Sequence, residues 1–154
     1  FFFKINVPFP SSDDLIEIAA RTTGSETPVA KAVADGTKIS AMQELARGIP
    51  AASHVTAFAA RLLTATHPGN SDSPKVVQRY VRYGASPRGM QTLILAGKIL
   101  ALLDGRYNVA FDDLLAAALP ALRHRLILNF EAQAEGISPD LVINELLTVI
   151  TPDI

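Results

Sequence analysis

Residues 84–105 read GASPRGMQTLILAGKILALLDG, and this stretch decides the fold. Ser86 followed by Pro87 has the form of an N-cap and a first helical position. A serine can cap the free amides of a helix start, and proline has no amide to leave unpaired there. Met90, Leu93, Ile94, Leu95, Ile99, Leu100, Leu102 and Leu103 then follow as far as Asp104. Gly105 is a natural stop, because glycine turns left-handed at no steric cost. A helix that is apolar on more than one face belongs in the centre of a packed bundle.

Working outward, the flanks are helical too. Upstream, Ser12 reads as the cap of a helix with Asp13 and Asp14 in its first turn, acids that suit the positive end of the helix dipole, and Leu15, Ile18 and Ala19 as its stripe. The stretch 22–38 holds Gly24, Pro28 and Gly36 and reads as a connection with a short helical piece over Val29–Ala34. Ser40-Ala41-Met42-Gln43 has capping-box spacing before a helix ending near Gly48. Ser53 opens a helix that buries Val55, Phe58, Ala59, Leu62 and Leu63. A turn-rich loop over 67–74 leads to a short irregular helix over Lys75–Tyr83. Downstream, one helix spans Phe111–Leu119, Pro120 opens another that reaches Phe130, and Ser138-Pro139-Asp140 starts the last, ending near Ile150. Phe3-Lys4-Ile5-Asn6-Val7 alternates as a short strand, stopped by Pro8 and Pro10, with no partner strand in the sequence. The expected fold is an all-α small helical bundle over 11–154, preceded by a short strand and its exit over 1–10.

Composition narrows the function. A chain of 154 residues with 49% hydrophobic and 19% charged residues makes one domain with a real core. Its net charge of −1 gives no overall attraction to nucleic acid or anionic membrane. It has no cysteine, which excludes disulfides, thiolate metal sites and a cysteine nucleophile. No apolar run is long enough for a bilayer, and Phe1-Phe2-Phe3-Lys4 lacks the basic lead of a signal peptide. The sequence reads as a piece of a longer chain.

The search for chemistry returns mainly absences. There is no phosphate-binding GxxxxGK[ST] loop, GxGxxG fingerprint, HExxH or GxSxG, and His54, His67 and His124 are scattered. The pairs Asp13-Asp14 and Asp112-Asp113 read as helix starts. One feature stands apart. No acid occurs between Asp72 and Asp104, while Lys75, Arg79, Arg82, Arg88 and Lys98 all do. With Ser86 as N-cap, Arg88 occupies the second helical position. A cation there opposes the helix dipole at a cost of about 0.3–1 kcal/mol. Arginine and free amides facing one way make an anion site, with phosphate the natural guest. A carboxylate partner elsewhere in the fold, or plain solvation, would equally explain Arg88. Tyr80 and Tyr83 between Arg79 and Arg82 leave base stacking as a third reading.

The run Tyr80-Val81-Arg82-Tyr83-Gly84-Ala85-Ser86-Pro87-Arg88-Gly89 resembles the second-sensor motif of MoxR-type AAA+ ATPases. Phe3–Ser11 is similar to the last strand of their ATPase core and its exit. Ala65-Thr66-His67-Pro68, Leu95–Lys98, Leu102–Val109, Ala118-Leu119-Pro120-Ala121-Leu122-Arg123-His124-Arg125 and Asn129-Phe130-Glu131-Ala132 resemble further family segments in the same order. Ala110 stands where such sequences tend to carry a capping Ser or Thr.

This resemblance implies a helical AAA+ lid that does not hydrolyse ATP alone. The accompanying core would carry the phosphate loop, the Mg-binding acids, the first sensor and the arginine finger. Arg88 would be the catalytic sensor residue, and Gly84, Ala85, Ser86, Pro87 and Arg88 the segment facing ATP or ADP, with no metal ligand. It also implies a cytoplasmic, ring-forming, chaperone-like ATPase. Its partners would be its own core, neighbouring subunits and a von Willebrand factor A domain protein, with neither membrane nor nucleic acid. The alternatives are a stand-alone helical interaction module and a helix-turn-helix nucleic-acid binder using Lys75–Arg88. Separated from a core sheet, the apolar start is expected to be disordered or to pair with another copy.

Overall fold

The computed structural model describes residues 1–25 and 29–152; Pro28, part of the connection read above over 22–38, lies outside them. The elements are α1 (Ser12–Thr22), α2 (Gly36–Gly48), α3 (Ser53–Thr64), α4 (Lys75–Tyr80), β1 (Val81–Tyr83), α5 (Pro87–Leu103), α6 (Phe111–Leu122), β2 (Ile127–Leu128), α7 (Phe130–Ala134) and α8 (Pro139–Val149). The bundle is all-α apart from one small antiparallel ladder, in which Val81 faces Leu128 and Tyr83 faces Ile127.

α5 is the axis of the bundle and packs against α2, α3 and α6. Its start and stop are those read from the sequence: Ser86 is the N-cap, Pro87 the first helical residue, and Gly105 has φ +71°. Its buried face is made of small residues (Gly89, Thr92, Ala96, Gly97 and Ala101) around one large one, Leu93. Small residues let helix axes approach closely, and α6 answers with Ala117, Ala118 and Ala121. Gly97 marks the closest approach: a Cβ there would lie 2.8 Å from Val109 Cγ1 and 3.1 Å from Leu114 Cδ2. α8 closes the core over α4 and α6 with Val142, Ile143 and Leu146.

Several boundaries differ from the sequence reading. α1 is capped by Ser11, whose hydroxyl accepts the Asp14 amide while the Asp14 carboxylate accepts the Ser11 amide. α2 begins at Gly36, where Asp35 accepts the Lys38 amide at 2.8 Å, so Ser40 lies inside a helix rather than before it. Residues 29–35 carry no helix. α3 has Ala52 as N-cap, with Ser53 its first helical residue. Pro120 sits inside the last turn of α6 rather than opening a new helix; its ring has near-helical φ and removes a single amide.

The expected N-terminal strand does not form, because no described segment beside residues 1–10 offers a ladder of partners. Single bonds hold the end instead. The Lys4 amide donates to the Pro120 carbonyl at 2.9 Å, and Arg123 donates to the Lys4 carbonyl at 3.3 Å. Phe2 and Phe3 lie in the apolar groove between α5 and α6, against Ala96, Ile99, Leu100 and Pro120. The start of the chain therefore lies on its own bundle, contrary to the expectation of disorder or pairing with another copy. Ile5, Val7 and Phe9 remain exposed.

One buried carboxylate ties the α5–α6 loop. Arg106 donates to Asp113 at 2.6 and 3.0 Å, and Asp113 accepts the Ala110 amide at 2.8 Å, serving the helix start that lacks a capping hydroxyl. Burial pushes the Asp113 carboxyl up. The bonds from Arg106 and Ala110 outweigh burial and hold it below the usual carboxylate range. A lowered folded-state value means that this stabilisation is complete above the ordinary carboxylate range and lost as pH falls through the lowered one. Urea midpoints followed from neutral to acid pH should therefore fall less steeply for Asp113→Asn than for the native chain. At neutral pH, Gly97→Val should lower stability by about 1–3 kcal/mol through overpacking, measured by the same titration.

Candidate functional site

The site is built where β1 turns into α5, and two side chains from the end of α3 and its following loop clamp that turn. Thr66, fully buried, donates its hydroxyl to the Leu63 carbonyl at 2.6 Å and accepts the Ala85 amide at 2.9 Å. His67 Nε2 lies 3.1 Å from the Ala85 carbonyl. A carbonyl can only accept, so Nε2 carries the hydrogen. Both backbone groups of Ala85, itself fully buried, are thus fixed. Gly84 allows the contact: a Cβ there would lie 2.7 Å from His67 Cγ and from both the Thr66 carbonyl and hydroxyl oxygens. The His67 carbonyl in turn accepts the Ser73 hydroxyl at 2.5 Å, and Gln78 donates to the Ser73 carbonyl at 2.9 Å.

From this clamp, Ser86, Pro87 and Arg88 lead outward, and all three are exposed. The Ser86 hydroxyl makes no capping bond, Pro87 has no amide, and the Gly89 amide turns back to the Ser86 carbonyl at 2.7 Å. The fan of free amides expected at this helix start is therefore narrow, and the guanidinium is its main anion-directed group. Arg88 makes no side-chain hydrogen bond or ion pair with any described residue.

The other cations of the acid-free stretch have different fates. Arg79 is held by Glu131 at 2.7 Å and Glu135 at 2.6 Å. The Tyr80 hydroxyl donates to Glu135 at 2.7 Å while its ring is buried in the core. Lys98 donates to the Arg47 carbonyl at 2.8 Å and so finishes the C-terminal turn of α2. Arg82 lies over the Tyr83 ring, 5.3 Å from its centroid.

Gly84, Ala85, Ser86, Pro87 and Arg88 thus form one continuous structure: a buried clamp followed by an exposed, charged helix start. Thr66, His67 and Arg125 join it without having been singled out. Thr66 and His67 lie in a resemblant segment, but no spacing rule links residue 66 to residue 85. Arg125 arrives because the β1–β2 register, running out at Tyr83 and Ile127, delivers the turn after α6 beside the start of α5. It donates to Thr92 Oγ1 at 3.0 Å. Among the described residues, no group of His, Asp and Glu could hold a metal ion.

Thr66→Val keeps the shape and removes the acceptor of a buried amide, which should cost about 1–3 kcal/mol in urea unfolding. The Ala85 amide should lose its slow hydrogen exchange in the same variant.

Residues 74–146 match the model of the AAA lid domain family, a span that contains α4, β1, α5 and the Arg125 turn. Over 155 residues the chain is 36% identical to chaperone MoxR1 of Mycobacterium tuberculosis, an alignment that covers 100% of this chain and 41% of that protein. It is 37% identical over 76 residues to protein MoxR of Paracoccus denitrificans, covering 48% of this chain and 22% of that one. The chain thus spans well under half the length of the curated relatives it matches. A crystal structure of a candidate ATPase from Cytophaga hutchinsonii has the same fold, with TM-score 0.90 at 23% identity over 100% of this chain and 47% of that one. The bundle over residues 74–146 is thus an AAA lid domain, and the chain as a whole is similar to part of the MoxR proteins.

Proposed function

We propose that this lid reads the phosphate state of a nucleotide bound to an accompanying AAA+ core, with Arg88 as the second sensor. The observation that carries the reading is Arg88 itself: exposed, without an acid partner, against the helix dipole, and mounted on a turn whose backbone is fixed by Thr66 and His67. A cation kept in an unfavourable place with a rigid mount suits an anion that arrives from outside the lid. Gly84 and Ala85 hold the mount, while Ser86 and Pro87 set the direction of the first turn.

A bound ATP would supply a γ-phosphate that ADP lacks. Arg88 donating to it gains a charge-assisted bond in one nucleotide state only. Such differential affinity is what shifts the lid between positions, and α5, packed along its length, passes the shift to the bundle. Positive charge beside a transferring phosphoryl group also stabilises its transition state. Among its described residues the lid has no group of acids or histidines that could hold a metal ion, and Mg belongs to the core in this reading.

The whole protein would then be an ATP hydrolase working as a ring. The name of the Mycobacterium tuberculosis relative supports a chaperone-like role. A cytoplasmic setting, neighbouring subunits and a von Willebrand factor A domain partner complete the proposal; no helix among the described residues is long and apolar enough to cross a membrane. Two observations weigh against the alternatives. Tyr80 is buried and Arg79 is neutralised by two glutamates, which leaves little of the stacking surface that a nucleic-acid binder on Lys75–Arg88 needs. α1 buries no residue, and Leu15, Ile16 and Ile18 are exposed, which suits a lid resting on a core better than a self-sufficient module.

Steady-state ATP turnover and nucleotide affinity in the full-length protein test the proposal. Arg88→Ala should lower turnover on the order of a hundredfold with the fold intact. Unchanged turnover together with unchanged affinity would sink the second-sensor role.

A further inference from the structure

Arg125 has an unusual set of partners for a half-buried guanidinium. It donates to the carbonyls of Phe1 at 2.9 Å and Phe2 at 3.2 Å, to the Ala121 carbonyl, and to Thr92 Oγ1 at 3.0 Å. His124 Nε2 lies 2.8 Å from Nη1, and since a guanidinium only donates, the ring nitrogen accepts. Every one of these partners is neutral. Arg123, two residues earlier, has a carboxylate, Asp140, at 2.9 Å. Burial and then the nearby Arg88 charge hold the Arg125 guanidinium below its ordinary value, as expected of two cations sharing one end of α5.

The geometry joins three parts of the molecule. The Thr92 hydroxyl that accepts from Arg125 donates to the Arg88 carbonyl at 2.8 Å, one turn back along α5. A chain of bonds therefore runs from the carbonyls of residues 1 and 2, through Arg125 and Thr92, to the backbone of Arg88. Both Nη2 bonds go to fixed acceptors and Nη1 meets three more, so little of the fork is left to grip a ligand. Arg125 fits a fastening better than a binding group.

We propose that Arg125 is a positioning residue for Arg88. It latches the segment entering the lid, residues 1–2, to the first turns of α5, so that a displacement of that segment moves the sensor arginine. This rests on the second-sensor reading of Arg88. The planar fork is what the role requires, because one ammonium cannot hold two separate main-chain carbonyls and a hydroxyl in fixed directions. The absence of a carboxylate also has a use: a neutral latch keeps positive charge beside Arg88, which discourages Arg88 from folding back onto the bundle.

The test compares Arg88→Ala, Arg125→Lys, Thr92→Val and the Arg88→Ala/Arg125→Lys double variant in full-length protein, with kcat and KM for ATP hydrolysis and a thermal melt for each. Arg125→Lys and Thr92→Val should each lower kcat roughly ten- to hundredfold, as expected of a misplaced group. KM should rise by a smaller factor than kcat falls, since of the nucleotide contacts only that of Arg88 is displaced. The double variant should be no slower than Arg88→Ala alone, because both changes disable one unit. Losses that multiply, or native kcat in Arg125→Lys while Arg88→Ala is impaired, would overturn the latch and leave the sensor standing. Native kcat in Arg88→Ala would overturn both. If Arg125→Lys does not fold, Thr92→Val decides: native kcat there removes the bond chain from the mechanism.

Discussion

The seam between α5 and α6 is the constraint from which the rest follows. Gly97 lies against Leu114 of α6 and Val109 just before it, and Gly89 against Leu122 of α6 and Leu63 of α3, so closely that a Cβ at either glycine would crowd its neighbours. This close approach buries Leu93 and Leu114 completely and fixes the direction of α5. The functional end of the lid is the N-terminus of that same helix. Precision at Arg88 is thus inherited from packing that starts at the next residue, Gly89, and continues to Gly97: the seam holds the rod, and the Thr66–Ala85 bond holds its tip. Neither would suffice alone, because a clamped turn on a loosely packed helix, or a rigid helix with a free turn, would leave the guanidinium poorly aimed.

Electrostatics divides the basic stretch into structural and available charge. Arg79 is spent on Glu131 and Glu135, and Lys98 on the end of α2. Arg125 binds neutral groups, and Arg88 has no partner within the described chain. Exposed ion pairs such as those of Arg79 contribute little stability each, but they remove charge from competition. Positive potential is left concentrated at one end of α5, on a protein whose net charge is close to zero.

Much of this was legible in the sequence, and the failures have physical causes. The Ser86-Pro87 start and the Gly105 stop of α5 were readable because they depend on a few backbone angles that few residues satisfy. Pro120 misled because proline marks the first turn of a helix more often than it survives in the last. Asp35 gives a weak cap signal because Gly36 next to it reads as a breaker, though glycine is tolerated in a first turn. Strands of three and two residues leave no alternation to detect, so β1 and β2 were invisible, and with them the reason Arg125 reaches α5. At the site, Arg88 declared itself by standing against the helix dipole. Thr66 and Arg125 did not, because their bonds span 19 and 33 residues and a lone polar residue on an apolar helix end carries no such signature.

α1 has 11 residues, a full capping box, one Glu17–Arg21 pair and no buried side chain. Isolated helices below about 12–15 residues are marginal in water, and surface pairs add only tenths of a kcal/mol. The free energy that keeps α1 helical is therefore supplied largely by whatever covers Leu15, Ile16 and Ile18. Helix content in this corner and occupancy of that surface are linked functions, in the sense that each raises the other by the same factor. Assembly would then be written into the lid as secondary structure: the first helix acts as a gauge of contact, gaining order when its apolar side is met and relinquishing it when that side returns to water.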